Sequence, residues 1–317
     1  MKFATISHLL NISNIKQIPP SWIKGDLITS PELDINGTIG HVIALNLLPK
    51  QVIESPKDII RKKILDATLY AQDELGVELI QLGALTTSVT KGGKWISDRE
   101  EYTGYVTHGD SYTAAVTCQA VIKSMNLFKQ DPEKHSLAIV GAYGIIGEAV
   151  SKILVPKFGK TILIGRREDK LKELESKVTG NFETSMELKT KETDVIVTAT
   201  SHPTALLTNE HLKNNAIIVD VSQPPNLTYD VCKTRKDITR IDGGFVDFPF
   251  DYPIPIPGMP IGKNFACIAE VIMQAMENEK GNHVGTIDLN HIEKTEKWSQ
   301  KYGFTLNELT NFGIKIQ

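Results

Sequence analysis

Three glycines at three-residue spacing, Gly141, Gly144 and Gly147, suit the chemistry of dinucleotide binding. They follow the apolar run Leu137–Val140, which is typical of a buried parallel strand, and they precede apolar residues at helical period. A backbone without side chains approaches a pyrophosphate closely, and the free N–H groups of the following helix point at the anion. The pattern therefore predicts a cofactor-binding turn made of Gly141, Ala142, Tyr143, Gly144, Ile145, Ile146 and Gly147.

Two arginines, Arg166 and Arg167, follow the second predicted strand of this segment, Thr161–Gly165. A site for NAD usually has Asp or Glu at this position to bind the ribose hydroxyls. Guanidinium groups instead suit a 2′-phosphate, so the pair favours NADPH. The alternative is that both arginines are solvated at the start of the predicted helix Glu168–Lys177, whose first two residues are acidic.

Two further apolar runs, Asp194–Ala199 and Ala216–Val221, are typical of buried parallel strands. Ligands bind at the carboxyl ends of the strands in open α/β sheets. The residues at the end of the first run and directly after it are therefore candidates for cofactor contacts. The alternative is that they form a solvated loop. They are Thr198, Ala199, Thr200, Ser201 and His202.

Cys267 is the candidate nucleophile, because it follows a Gly/Pro-rich loop and lies in the first turn of the predicted apolar helix Asn264–Glu277. A helix N-terminus and the nearby Lys263 are expected to lower the pKa of the thiol. A thiolate beside a reduced nicotinamide suggests that sulfur takes an acyl group from a thioester, which hydride then reduces to an aldehyde. The alternative is a buried structural cysteine in a core helix. Cys118 and Cys232 lack any feature that would stabilise a thiolate.

Polar residues also cluster before and within the start of the predicted helix Tyr112–Leu127. They are candidates for binding the nicotinamide carboxamide or for protonating a developing hemithioacetal. The alternative is a helix cap, in which Asp110 starts the helix without any chemistry. The cluster consists of Thr107, His108, Asp110, Ser111 and Thr113.

The composition limits the class of protein. A chain of 317 residues suggests two domains, and a net charge of −3 argues against a nucleic-acid partner. No apolar segment is long enough to span a bilayer, and there is no signal-peptide pattern at the start. The 3 cysteines lie far apart without metal-ligand spacing, so we expect neither a disulfide framework nor a protein metal site. These features predict a cytoplasmic protein.

The order of these segments predicts an α/β fold with two domains, in which a central Rossmann-type NADP-binding domain is joined by an N-terminal α/β substrate domain and C-terminal helices. The predicted parts are an acyl-binding domain at 1–133, the Rossmann domain at 134–248, and a proline-rich loop with C-terminal helices at 249–317. The last part carries Cys267 and is expected to pack back on the substrate domain. Other predicted elements are the strands His41–Leu48 and Val77–Gly83 and the helices Lys57–Leu75 and His291–Tyr302.

Six segments distributed along nearly the whole chain carry a resemblance to a known family. In chain order they are FATISHLL, RKKILDATLYAQDELGVELIQLGAL, THGDSYTAAVTCQAV, GAYGIIG, FACIAE and KYGF. With these segments in this order, the chain resembles the long-chain acyl-(acyl-carrier-protein) reductases, the aldehyde-forming enzymes of cyanobacterial alkane synthesis. The resemblance implies that Cys267 is a nucleophile, that the acyl-enzyme is covalent, that NADPH is the reductant and that the product is a fatty aldehyde. It makes the segment around Asp110 part of the substrate pocket, with Asp110 where the family usually has Asn.

The acyl donor expected from the resemblance is an acyl carrier protein or acyl-CoA. A downstream enzyme that consumes the aldehyde, and stimulation by a divalent cation, are further possible features. Two basic clusters are candidates for docking an acidic carrier, and the solvated face of a helix is the alternative. The clusters are Arg61, Lys62 and Lys63, and Lys233, Arg235 and Lys236. The segment Val246–Pro260 is either a tunnel wall or lid, or a rigid connector.

Two other functions fit part of the pattern. One is a Rossmann oxidoreductase like shikimate dehydrogenase, which acts on a small polar ketone or alcohol and in which Cys267 is only structural. The other is a non-catalytic, NADPH-responsive module that binds an acyl carrier or another partner. The apolar helix around Cys267 and the resemblance favour thioester reduction over both.

Overall fold

The computed structural model describes residues 1–251 and 260–316, except for the side chain of Asn14. In these ranges the α-helices are α1 Ile12–Ile15, α2 Pro49–Glu54, α3 Lys57–Asp73, α4 Leu85–Val89, α5 Lys94–Ser97, α6 Asp110–Leu127, α7 Ile145–Leu154, α8 Glu168–Glu175, α9 Tyr229–Thr234, α10 Ala266–Met276 and α11 Leu289–Tyr302. The strands are β1 Phe3–His8, β2 Ile23–Lys24, β3 Leu27–Thr29, β4 Leu33–Ile35, β5 Thr38–Leu45, β6 Leu79–Leu82, β7 Tyr105–Thr107, β8 Ser136–Val140, β9 Lys160–Ile164, β10 Phe182–Ser185, β11 Val195–Thr198, β12 Ile217–Asp220, β13 Thr239–Asp242, β14 Phe245–Asp247, β15 Lys263–Phe265, β16 Thr310–Asn311 and β17 Ile314–Lys315.

The chain divides into two compact units. The first unit consists of Met1–Tyr112 and Val246–Thr305, and the second consists of Thr113–Phe245 and Leu306–Gln317. The boundary therefore falls in the first turn of α6, and segments distant in sequence complete each unit. The predicted α/β fold class is confirmed. The functional assignment of the predicted parts 1–133, 134–248 and 249–317 stays a prediction.

The first unit is built on a mixed sheet in the order β2-β3-β5-β1-β6-β7, with β4 also paired to β5. Strand β1 lies at its centre, parallel to β5 on one side and to β6 on the other. The fully buried side chains of Ile6, Ile43 and Ile80 belong to its core. Helices α3 and α10 both pack on β1 and β5. The sequence did not predict β1, because Thr5 and Ser7 interrupt the apolar pattern of Phe3–His8.

The second unit is built on a parallel sheet in the order β10-β9-β8-β11-β12-β13. The chain runs outward from β8 through β9 and β10 on one side, and from β11 through β12 and β13 on the other. This order is that of the Rossmann dinucleotide-binding sheet, in which ligands bind at the carboxyl ends of the central strands. The core residues Ile139, Val197 and Val219 are fully buried, as expected for strands covered on both faces.

A buried ion cluster joins β12 and β13 to the C-terminal hairpin of β16 and β17. The guanidinium of Arg240 donates from Nη1 to Asp242 Oδ1 (2.7 Å) and from Nη2 to Asp220 Oδ2 (3.2 Å). The carboxylate of Asp242 also accepts hydrogen bonds from Thr310 Oγ1 and from the backbone N–H of Gly313, both at 2.8 Å. Because Arg240 is only 2% exposed, these contacts satisfy a charge that water does not reach.

One predicted helix starts later than expected. The predicted helix Asn264–Glu277 begins at Ala266, because Lys263–Phe265 forms β15 and pairs with β14. Cys267 is consequently the second residue of α10. No helix among the described residues has the length and apolar character required to cross a bilayer.

Candidate active site

The glycine turn of the second unit leaves room that a side chain would fill. Gly141 has φ +85°, and a Cβ there would lie 2.3 Å from the carbonyl oxygen of Ala199. A Cβ on Gly147 would lie 2.1 Å from the carbonyl oxygen of Gly141. Gly144, with extended backbone, caps the start of α7. The turn therefore has the close packing and the exposed helix start that a pyrophosphate requires, and these residues fit a dinucleotide.

Tyr143 lies across the end of β9, beside the two arginines. A Cβ on Gly165 would lie 2.3 Å from the ring of Tyr143, and the backbone N–H of Arg166 donates to Tyr143 Oη at 3.2 Å. Arg167 binds the carboxylate of Asp169 with two hydrogen bonds, of 3.1 and 2.5 Å, in the first turn of α8. Within the described ranges, the Arg166 guanidinium has no hydrogen bond or ion pair. Arg166 is therefore the better candidate for binding a 2′-phosphate. The alternative given above, an arginine at the start of a helix, fits Arg167.

Thr200 lies at the carboxyl edge of the same sheet and is fixed by neighbouring polar groups. Its backbone N–H donates to Ser222 Oγ (3.0 Å), and its hydroxyl donates to Asn226 Oδ1 (2.7 Å). Thr198 instead donates to Asp220 Oδ1 (2.7 Å) inside the core, which is a structural role. His202 Nδ1 lies 2.8 Å from the carbonyl oxygen of Thr204 in its own loop.

The thiol of Cys267 is held in its neutral form. Burial raises its pKa to about 12, with further contributions from the carboxylates of Asp110 and Glu270, while the backbone N–H groups of the first turn of α10 act in the opposite direction. Lys263 forms an ion pair with Asp247. The expectation of a lowered pKa is therefore wrong. The helix start has the expected effect, but burial and two carboxylates outweigh it, and the lysine charge is already paired.

The turn that carries His108 and Asp110 packs directly against Cys267. Gly109, between them, has φ +70°, and a Cβ there would lie 2.4 Å from the carbonyl oxygen and 2.8 Å from the Cα of Cys267. The backbone N–H of His108 donates to the carbonyl oxygen of His283 (3.1 Å). The side chains of the turn are thereby placed beside the start of α10.

Both polar side chains of this turn favour neutral forms. Burial lowers the pKa of His108 to about 4, against an opposing contribution from Glu270. Nδ1 of His108 accepts the backbone N–H of Asp110 at 2.9 Å, so the neutral ring carries its hydrogen on Nε2. Burial, followed by the charge of Glu270, raises the pKa of Asp110 well above its usual value. A protonated Asp110 donates a hydrogen bond as Asn does, which fits its place in a segment where the resembling family has Asn.

A fully buried carboxylate, Glu270, lies on α10 one turn after Cys267. Its Oε2 accepts the backbone N–H of Tyr112 at 2.7 Å, and its Oε1 accepts the hydroxyl of Thr107 at 3.2 Å. His291 Nε2 lies 3.3 Å from the same Oε1. Burial opposes ionisation of Glu270, but the hydrogen bond and charge of His291 and the N–H of Tyr112 bring its pKa below the usual value.

The imidazole of His291 stacks on that of His283, with the ring centroids 3.4 Å apart and the planes 6° from parallel. Among the described residues, Glu279, His283 and His291 form a group with atoms close enough for a metal ion. Ring nitrogens bind metals in the plane of the ring, so two stacked parallel rings are poorly placed to share one ion. Glu279 is also paired with Lys294. Nε2 of His291 contacts Glu270 instead.

The sequence-predicted residues are thus divided between the two units. Cys267, His108, Asp110 and the buried Ser111 belong to the first unit, whereas the glycine turn, Arg166, Arg167, Ala199, Thr200 and Thr113 belong to the second. Sequence reasoning missed Glu270, His283 and His291. Glu270 had one available signal, since it is the single charged residue in the apolar helix ACIAEVIMQAM. The catalytic and binding roles of all these residues stay predictions.

The first basic cluster is largely paired within the chain. Arg61 donates to the carbonyl oxygen of Val89, Lys62 pairs with Asp66, and Lys63 pairs with Asp26. These pairs favour the alternative of a solvated helix face. In the second cluster, Arg235 pairs with Asp237 at 2.7 Å. The predicted tunnel wall or lid at Val246–Pro260 falls mostly on 252–259, outside the described residues.

Comparison with known proteins gives a consistent class. A sequence model described as shikimate / quinate 5-dehydrogenase matches residues 125–242, which is less than half of the chain. The chain is 27% identical over 282 residues to the long-chain acyl-[acyl-carrier-protein] reductase of Synechococcus elongatus, covering 84% of this chain and 82% of that protein. These likenesses indicate a Rossmann-type oxidoreductase.

Other similarities are more partial. The aminotransferase PigE of a Serratia species is 25% identical over 290 residues, which cover 87% of this chain but only 33% of the length of PigE. The crystal structure of L-tryptophan dehydrogenase from Nostoc punctiforme is 13% identical, with a TM-score of 0.42, over 97% of this chain and 84% of that chain. The prediction of an NAD(P)-dependent Rossmann oxidoreductase is supported at this coarse level. Thioester reduction, the choice of NADPH and the acyl donor stay predictions.

Proposed function

We propose that the protein reduces a fatty acyl thioester to a fatty aldehyde with NADPH, through an acyl group bound to Cys267. The observation that carries the proposal is the packing of Gly109 on Cys267, which supports a site in which the turn of His108 and Asp110 adjoins the helix start that carries the thiol. The similarity to an acyl-[acyl-carrier-protein] reductase over most of the chain supports the same reaction.

In the first half-reaction, the sulfur of Cys267 attacks the thioester carbon, the bond from that carbon to the donor sulfur breaks, and the thiol proton ends on the departing thiol. With a pKa of about 12, Cys267 needs a base as the bond forms. The departing sulfur takes this proton as its bond to carbon breaks, while protonated Asp110, whose pKa burial raises well above its usual value, donates a hydrogen bond to the developing oxyanion. The backbone N–H groups at the start of α10 stabilise the oxyanion.

In the second half-reaction, NADPH supplies a hydride to the acyl carbon when it is bound. The resulting thiohemiacetal oxygen takes a hydrogen bond from His108 Nε2 or from protonated Asp110. Collapse then breaks the bond between carbon and Cys267 sulfur, releases the aldehyde and returns the proton to the thiol. The overall reaction consumes one thioester, one NADPH and one proton. Neutral hydrogen-bond donors are suited to this reaction because they stabilise the negative charge that develops on the acyl oxygen.

The residues that would hold NADPH are the glycine turn, Arg166 and the edge residues Ala199 and Thr200. The turn gives the pyrophosphate backbone N–H groups, and Arg166 offers an unpaired guanidinium for the 2′-phosphate. The acyl donor in this proposal is an acyl carrier protein or acyl-CoA.

The test is the intact mass of the purified protein after mixing with hexadecanoyl-carrier protein in the absence of NADPH. The wild type is expected to gain one acyl mass and to lose it, with release of aldehyde, when NADPH is added. Cys267→Ser is expected to gain nothing, and Cys232→Ser serves as the matched control that still gains the acyl group. NADPH consumption without an adduct on any of the three proteins would contradict the acyl-enzyme.

The family match at 125–242 also favours a second candidate, a dehydrogenase of small polar substrates. It predicts normal turnover of such a substrate by Cys267→Ala. A non-catalytic NADPH-responsive module would instead bind NADPH. It would not oxidise NADPH in the presence of any thioester or ketone. The two alternatives are therefore separated from thioester reduction by the same adduct and turnover measurements.

A further inference from the structure

Glu270 is a buried charge that the proposed chemistry does not use. It lies on the same helix as Cys267, is 0% exposed, and is flanked along the chain by the buried apolar residues Ala269 and Val271. A carboxylate in such surroundings is costly unless hydrogen bonds and a positive partner compensate for it. The contacts of Glu270 are therefore expected to have a role that a neutral side chain at this position could not fulfil.

Two contacts of the carboxylate are with the turn that faces Cys267, and the third is with a histidine. Oε2 binds the backbone N–H of Tyr112 (2.7 Å), which is one of the free N–H groups in the first turn of α6. Oε1 binds the hydroxyl of Thr107 (3.2 Å), whose oxygen in turn accepts the backbone N–H of Gly109 (3.1 Å). Glu270 thus binds the turn on both sides of His108 and Asp110.

A further contact comes from a different helix. His291 of α11 approaches Oε1 of Glu270 at 3.3 Å, and its ring stacks on His283. The backbone of His283 is itself bonded to the turn and its strand, since His283 N–H donates to Val106 O (2.8 Å) and His283 O accepts the N–H of His108 (3.1 Å). The contact between His291 and Glu270 and the stacked rings are therefore connected to the turn through the backbone of His283.

We propose that Glu270 is a positioning residue, whose ionised carboxylate holds the Thr107–Tyr112 turn, and with it His108 and Asp110, on Cys267. The expected effect on acylation rests on the proposed function. The positioning of the turn by Glu270 does not depend on that function. Glu270 touches neither the reacting sulfur nor a substrate atom in this account. It acts through the turn, and it fixes the donors that the acyl oxygen needs.

The test compares three reactivities of Glu270→Gln with those of the wild type. Gln has the same shape, but only one of its two terminal atoms accepts hydrogen bonds, so it cannot accept from Tyr112 N–H and Thr107 Oγ1 at the two positions that the carboxylate uses. We expect acylation of Cys267 by hexadecanoyl-carrier protein to fall at least about tenfold, because the turn no longer places its donors. Alkylation of Cys267 by iodoacetamide at a fixed pH of about 8 should stay equal or rise, because this reaction forms no oxyanion and one nearby negative charge is gone. Hydrogen exchange of the 107–112 segment should become about tenfold faster.

Two further variants complete the design. Glu270→Asp keeps the charge and should restore part of the acylation rate, which a purely steric role would not predict. Glu277→Gln, at the end of the same helix and paired with Lys301, is the matched control and should match the wild type in all three measurements.

The outcomes are distinct. A parallel fall of acylation and alkylation would mean general damage to the first unit and would overturn the proposal, as would unchanged exchange of residues 107–112. If the wild type itself takes no acyl group, the proposed function fails, and the exchange measurement still decides whether Glu270 holds the turn.

Discussion

The backbone of Gly109 lies so close to Cys267 that a single added carbon would collide with it. A Cβ on Gly109 would lie 2.4 Å from the carbonyl oxygen of Cys267, and its φ of +70° is in the left-handed region that favours glycine. Two independent physical reasons therefore require glycine at this position. Its contact fixes the distance between the polar turn and the helix that carries the candidate nucleophile.

Gly109→Ala is expected to lower the free energy of unfolding by roughly 2–5 kcal/mol, since backbone strain of about 1–2 kcal/mol adds to an overpacking cost of about 1–3 kcal/mol. Gly76→Ala is the matched control, because Gly76 has φ +65° with nothing within 4 Å of the added carbon. It should show the strain alone. Urea unfolding of both variants measures the difference, and equal losses would show that the close approach is unimportant.

The rate at which iodoacetamide alkylates Cys267 is expected to increase about tenfold per pH unit without levelling off below about pH 10. The reason is that burial and the carboxylates of Asp110 and Glu270 raise the thiol pKa to about 12, so the thiolate fraction keeps growing through this range. Glu270→Gln removes one of those charges and should shift the curve to lower pH. Glutathione, alkylated in parallel, should level off earlier. A plateau near pH 8 in the wild type would contradict the buried neutral thiol.

Arg166→Ala is expected to raise the KM for NADPH by tenfold or more while leaving the KM for NADH nearly unchanged, because only NADPH has a 2′-phosphate to bind. Arg167→Ala should have a much smaller effect, since Arg167 is already engaged by Asp169. Steady-state rates with both cofactors measure the two ratios. Equal losses with NADPH and NADH in Arg166→Ala would refute a phosphate contact.

Asp242→Ala is expected to destabilise the protein by about 3–5 kcal/mol, because it leaves the buried guanidinium of Arg240 without one of its two carboxylate partners. Asp237→Ala removes the exposed partner of Arg235 and is the matched control. Its urea midpoint should stay at the wild-type value, as is usual for surface ion pairs. Similar midpoints for both variants would argue that the buried cluster does not stabilise the C-terminal hairpin.

Much of the architecture followed from the sequence because it depends on local patterns. Continuous apolar runs identified β8, β9, β11 and β12, and the glycine spacing identified the turn after β8. These features are short-range, so a single segment contains the information. Strands β1, β10 and β13 were missed because they are short or interrupted by polar residues, and they become strands only through their neighbours in the sheets.

The sequence by itself determined that a glycine turn between a strand and a helix, two basic residues after the next strand and a cysteine at a helix start are present. Only the tertiary structure decided the electrostatics around that cysteine. The local pattern predicts a lowered pKa for Cys267, but burial in the folded chain, with further contributions from Asp110 and Glu270, reverses the direction. Burial and long-range contacts, such as Glu270 with Tyr112 or Gly109 with Cys267, join residues more than a hundred positions apart, and no local sequence pattern encodes them.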